Sequence, residues 1–178
     1  DDVESRGLGD VYKRQKLGTS WDAYADKIKD PDAGEGATKD IVPFVSVKDS
    51  RGTDRDGWKL TVKQDDDFKN GSDILKGATL KLSDLHYAAG ENLPTATSGD
   101  LTLGKDATVI ASADKDHGSG VTSLALGTLK AESEKDADGN ETEVQKTPGV
   151  NLSIPTGTTI TTGTYTTSLT YELTAGVE

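Results

Sequence analysis

The chain of 178 residues has few side chains suited to chemistry: two tryptophans, two histidines, no cysteine, and 31 acidic against 20 basic residues. Trp58 offers a flat apolar ring face with one donor, the kind of surface that stacks on a sugar ring. It alternates in phase with Leu60 and Val62, however, so the ring and both aliphatic chains project from one face of an extended strand. Core packing explains that phase better than an exposed stacking surface does. Tyr171, between Leu169 and Leu173, is in the same position.

Three acidic clusters could in principle hold a cation. Asp65, Asp66 and Asp67 lie near Asp73; Asp114 and Asp116 precede Gly118 with the spacing that begins a calcium loop; Asp136 and Asp138 alternate with Asn140. The second lacks a third ligand and a distant bidentate glutamate, and the third has Gly139 where such a loop would not put it. Each reads as solvated loop charge, so no metal and no cofactor are expected. His86 and His117 are far apart, neither belongs to an H-E-x-x-H helix, and no G-x-S-x-G elbow is present. A carboxylate pair could cleave a glycosidic bond, but with so many acids no particular pair stands out.

The elements that would position these groups are short strands. Val45 and Val47 alternate with polar residues, a polar turn occupies 50–57, and Trp58, Leu60 and Val62 alternate with Lys59, Thr61 and Lys63. Further strands are marked by Leu80 with Leu82, Leu101 with Leu103, Val109 with Ile110, and Val121 with Leu124 and Leu126. Residues 131–147 form a charged stretch with a hairpin tip at Asp138, Gly139 and Asn140. Strands resume at Val150, Leu152 and Ile154 and end with Tyr165, Leu169, Tyr171 and Leu173. Regular short strands punctuated by turns predict an all-β fold, an antiparallel β-sandwich or partly open barrel with long polar loops.

Charge and length narrow the function. The length fits one domain of ordinary size. A formal net charge of −11 excludes binding driven by phosphate neutralisation, so no nucleic acid partner is expected, and it opposes adhesion to an anionic membrane. No apolar run is long enough to insert in a membrane.

The motif strands carry a more specific signal. Asp49 to Leu60 resembles a turn of the form D-x-R-G-T-x-x-G-W-x-L with one more residue between Thr53 and Gly57, Leu75 to Leu82 reads L-K-G-A-x-L-x-L, and Val150 to Pro155 and Tyr165 to Leu173 follow in order. In this pattern the chain resembles the WxL domain, a C-terminal cell-wall-binding module of Gram-positive surface proteins. The second tryptophan of that pattern is Tyr171 here, so Trp58 with Leu60 and Tyr171 with Leu173 are the motif pairs. The resemblance implies a non-catalytic module at the bacterial cell surface, bound non-covalently to peptidoglycan or an associated wall polymer. A second function class is a protein interaction module that assembles with other wall surface proteins through a sheet edge or groove.

Three segments are expected. Residues 1–15 include Ser5 to Gln15, which resembles translated sequencing-adapter sequence; they are set aside as a non-native or disordered tail, with the export signal lost by truncation. Residues 16–40 form a loosely structured leading segment, and 41–178 the WxL-like β domain. The two motif strands are expected to lie side by side, as buttresses of the fold rather than as the binding surface.

Overall fold

The computed structural model describes residues 20–176, so the expected tail at 1–15 lies outside the described residues. Sixteen strands follow one another in short steps. The first are β1 (Ser20–Tyr24), β2 (Asp26–Lys29), β3 (Thr38–Ile41), β4 (Phe44–Asp49) and β5 (Trp58–Gln64). Next come β6 (Lys69–Asn70), β7 (Asp73–Ile74), β8 (Thr79–Leu82), β9 (Leu85–His86), β10 (Thr95–Ala96) and β11 (Leu101–Thr102). The last are β12 (Thr108–Ala113), β13 (Gly120–Leu126), β14 (Lys130–Lys135), β15 (Glu141–Ser153) and β16 (Leu169–Ala175). A single 3-10 turn, Pro31–Ala33, begins where Asp30 accepts a hydrogen bond from the Asp32 amide.

These strands form antiparallel sheets and no closed barrel. One sheet runs β1-β15-β8-β11 with β14 also on β15, a second runs β10-β12-β5-β16, and a third runs β4-β13-β9. Two ribbons, β2-β3 and β6-β7, complete the fold. The motif strands are neighbours: in the β5–β16 pair Leu60 faces Leu173, Val62 faces Tyr171, and Trp58 faces Ala175. The leading segment, from Ser20 onward, supplies β1, which pairs with β15, and the β2-β3 ribbon.

One core gathers the inward faces of the three larger sheets. Trp58, Leu60 and Val62 of β5 join Leu80 and Leu82 of β8, Leu124 and Leu126 of β13, and Val150 of β15. A bulge between Val109 and Ala111 breaks strict alternation in β12, so that Ile110 and Ala111 are both fully buried. Pro148, which has no amide hydrogen to donate, sits in β15 where the register with β1 jumps from Asn151 to Thr147. Beside it, Gly127 and Gly149 let β13 and β15 approach: a Cβ on Gly127 would lie 2.7 Å from the Gly149 Cα. Thr147 seals the crossing by donating to the Leu126 carbonyl at 2.8 Å.

Two segments differ from the sequence reading. The charged stretch 131–147 is strand on both sides of its tip, because β14 and the first half of β15 pair as an antiparallel ribbon in which Lys135 faces Glu141. Lys146, nearly buried, pairs with Glu134 and Glu132 and lies 4.7 Å from the Tyr24 ring centroid, while the Tyr24 hydroxyl donates to Glu134 at 2.7 Å. The tip itself is as expected, with Gly139 at φ 83° and the Asp136 carboxylate accepting from the amides of Asp138 and Asn140. Tyr165, by contrast, does not belong to the final strand. It is buried in the threonine-rich loop ahead of β16, where its hydroxyl accepts from the Thr161 amide at 3.0 Å.

Candidate functional site

The motif residues divide between two environments. Trp58 and Leu60 are 1% and 3% exposed, so the first pair is core. Tyr171 is half-buried and Leu173 is 50% exposed, although each lies directly beside a buried residue of β5. The difference is positional: β5 is internal to its sheet and β16 is the edge, where the inward face runs out of covering side chains.

The polar turn before Trp58 closes its pocket. Arg51 makes a two-point contact with the nearly buried Asp49, Nε and Nη2 each donating at 3.0 Å, and Nη2 also donates to the Gly57 carbonyl at 2.8 Å. Nη1 reaches Asp56. The Arg51 guanidinium hydrogen-bonded to Asp49 holds that carboxyl below the usual carboxylate range. Arg55 donates to the Lys115 carbonyl, tying the turn to the 114–118 loop. That loop roofs the indole: Trp58 Nε1 points to the Gly118 carbonyl at 3.5 Å, and a Cβ on Gly118, at φ +71°, would meet the indole at 3.0 Å and the Ala113 Cβ at 2.7 Å. The sequence reading placed Arg51 in the motif turn and gave it no role of its own. Its signal was an arginine in a turn with aspartates two before and five after it.

The acidic clusters are engaged in turns and loop closures. Asp114 Oδ1 accepts from His117 Nδ1 at 2.6 Å and from the Asp116 amide at 2.8 Å, which lowers its pKa. Asp65 accepts from Thr170 at 2.6 Å and Ser168 at 2.8 Å, pinning the start of β16, and these hydroxyls keep its carboxyl below the usual range. Asp66 pairs with Lys69 at 2.6 Å, and its backbone carbonyl accepts from Thr167 and Gln64. Among the described residues no three His, Asp or Glu side chains are grouped to hold a metal ion.

One concave feature is an open cleft of about 1280 Å³. Phe44, Val45 and Ser46 of β4 line it together with Leu169 and Tyr171 of β16, and the buried Leu80, Leu82, Leu126 and Val150 give it an apolar base. Tyr24, Asp26, the Lys27–Asp40 pair, Glu143 and Gln145 add polar groups. Phe44 is 48% exposed and Tyr24 and Tyr171 are half-buried, so three aromatic rings border the opening. Burial raises the Tyr171 pKa, which keeps its phenol neutral and able to donate. Phe44 and Tyr24 escaped the sequence reading because neither belongs to a motif strand; only the packing of sheets brings them to Tyr171.

Fold and cleft together describe an all-β module with an open cleft bordered by aromatic rings. The sequence profile of the WxL domain, described as surface cell wall-binding, matches residues 12–176, and the chain belongs to that family. It is therefore a cell-surface, wall-binding domain. No curated protein and no solved structure matches the chain.

Proposed function

We propose that this domain holds its parent protein to peptidoglycan by non-covalent contact, and that the cleft bordered by Tyr24, Phe44 and Tyr171 is the contact surface. The observation that carries the reading is the placement of three partly exposed rings around one opening with hydrogen-bonding groups at its margin. Sugar rings present apolar C–H faces to aromatic side chains and hydroxyls to carboxylates, amides and ammonium groups. The charge of the margin agrees with an uncharged ligand: Asp26, Asp40 and Glu143 outnumber Lys27, which disfavours an anionic wall polymer. The role is one of attachment and not catalysis, with no cofactor.

Co-sedimentation with purified peptidoglycan tests this. The folded domain pellets with the wall material, and Phe44→Ala, at an exposed position, weakens retention about tenfold while leaving the unfolding midpoint within a few degrees. Wild-type domain that stays in the supernatant, or a Phe44→Ala variant retained as well as wild type, defeats the assignment. Soluble sugar released from the pellet would contradict the non-catalytic reading.

A further inference from the structure

Strand edges expose unpaired N–H and C=O groups, and proteins ordinarily protect them with charge, proline or short length. Most strands that end a sheet here are protected in this way. β9, β10 and β11 are two residues long, β14 carries four charged residues in six, β4 ends in Lys48 and Asp49, and the five-residue β1 has Asp22 at its centre. β16 differs. Among the described residues it pairs only with β5; it has seven residues, contains no proline and carries one charge, Glu172. Leu173 lies opposite the buried Leu60 yet is itself 50% exposed, so an apolar side chain of the inward face is left uncovered at the edge.

We infer that the free edge of β16 over Glu172–Ala175 accepts an extended segment of a second protein as an added strand, with an apolar side chain against Leu173 and a basic one beside Glu172. Directly opposed residues of neighbouring strands share a face, so the two requirements alternate along the incoming segment. Charge selects the occupant. Glu172 has no ion-pair partner among the described residues and is the one charge of β16; Lys59 and Lys63 lie diagonally from it on the β5 side, away from the open edge, while Asp65 holds the start of the strand and the Arg51-paired Asp56 lies near its end. A second copy is a poor occupant, because its β16 carries no basic side chain to set beside Glu172 and both chains carry −11. Leu173 does not line the cleft, whose β16 lining is Leu169 and Tyr171, so the edge over Glu172–Ala175 adjoins the proposed wall contact without sharing its lining residues.

Titration of the isotope-labelled domain with a nine-residue peptide alternating valine and lysine, and with its valine and glutamate counterpart, tests the inference. The basic peptide shifts the amide resonances of β16 and binds at least tenfold more tightly than the acidic one. Glu172→Lys removes that preference, and Leu173→Asp weakens binding about tenfold; both positions are exposed, and both variants keep the wild-type amide dispersion. Absence of β16 shifts, or equal binding of the two peptides, overturns the inference. A concentration-dependent dimer abolished by Leu173→Asp would give the edge to a second copy and overturn it too. Both variants still co-sediment with peptidoglycan; loss there would make the edge part of the wall contact and not a protein-docking strand.

Discussion

Trp58 shows how one residue can define a motif from inside the core. Its ring is 1% exposed, and it is enclosed by the Arg51-clamped turn on one side and the Gly118 loop on the other. Trp58→Ala should cost about 3–5 kcal/mol of stability, as large-to-small changes of a buried ring do. Trp58→Phe should fold and keep its wall binding, since the position needs volume more than an indole donor 3.5 Å from its acceptor. Thermal unfolding and co-sedimentation decide both, and an unchanged midpoint for Trp58→Ala would remove the residue from the core. Arg51→Gln tests the clamp. In a Trp21→Phe background it should lower the midpoint and increase acrylamide quenching of the remaining tryptophan, because Asp49 and the Gly57 carbonyl lose their shared donor.

Among the elements, the β14–β15 hairpin carries most of the correction to the sequence reading. A stretch with Glu132, Glu134, Lys135, Glu141, Glu143 and Lys146 is strand on both sides of its hairpin tip, with Lys135 facing Glu141 and Lys146 reaching Glu132 and Glu134. Replacing Lys146 with Gln leaves Glu132 and Glu134 without their shared cation beside Tyr24, and should cost about 1–3 kcal/mol. Adding Glu134→Gln should restore part of that loss, and denaturant titration of the two variants shows whether it does. If the single variant unfolds at the wild-type midpoint, the network contributes nothing measurable. The edge strand β16 is the other informative element: the same aromatic-x-leucine spacing that is buried in β5 is partly open there, because no strand of the described residues lies beyond it.

For the whole molecule, the acidic balance sets two responses. Asp49, Asp65, Asp66 and Asp114 all have lowered pKa values, held chiefly by side-chain hydrogen bonds from Arg51, Thr170, Lys69 and His117 respectively. A carboxyl whose folded pKa lies below its unfolded value contributes stability that is fully present above the unfolded pKa, about 3.9. That stability is lost as pH falls below this value and through the folded pKa. The unfolding midpoint should therefore be flat from neutral pH to about 5 and fall steeply below 4, with a shallower fall in Asp65→Asn. A decline already under way between pH 7 and 6 would point to another titrating group. Rising ionic strength should leave wall binding unchanged or stronger, because salt screens repulsion between an acidic domain and an acidic wall. Loss of binding at moderate salt would instead assign the contact to a basic patch such as Lys59 and Lys63, which lie on the outward side of β5.

Alternation and turn chemistry are local, so the sequence alone determined the all-β class, the burial of Trp58 and Leu60, the hairpin tip at Gly139 and the family. Those features depend on a residue and its near neighbours along the chain. Three others depended on which strands meet. Only the tertiary structure made β16 an edge and so left Leu173 exposed beside a buried Leu60. Only sheet packing brought Phe44, Tyr24 and Tyr171, drawn from three strands, to one cleft. Arg51 became a clamp only once the turn folded back on Gly57. Side-chain phase along a strand is fixed by the backbone's two-residue period, whereas exposure is fixed by what lies across from it, and that partner comes from elsewhere in the chain.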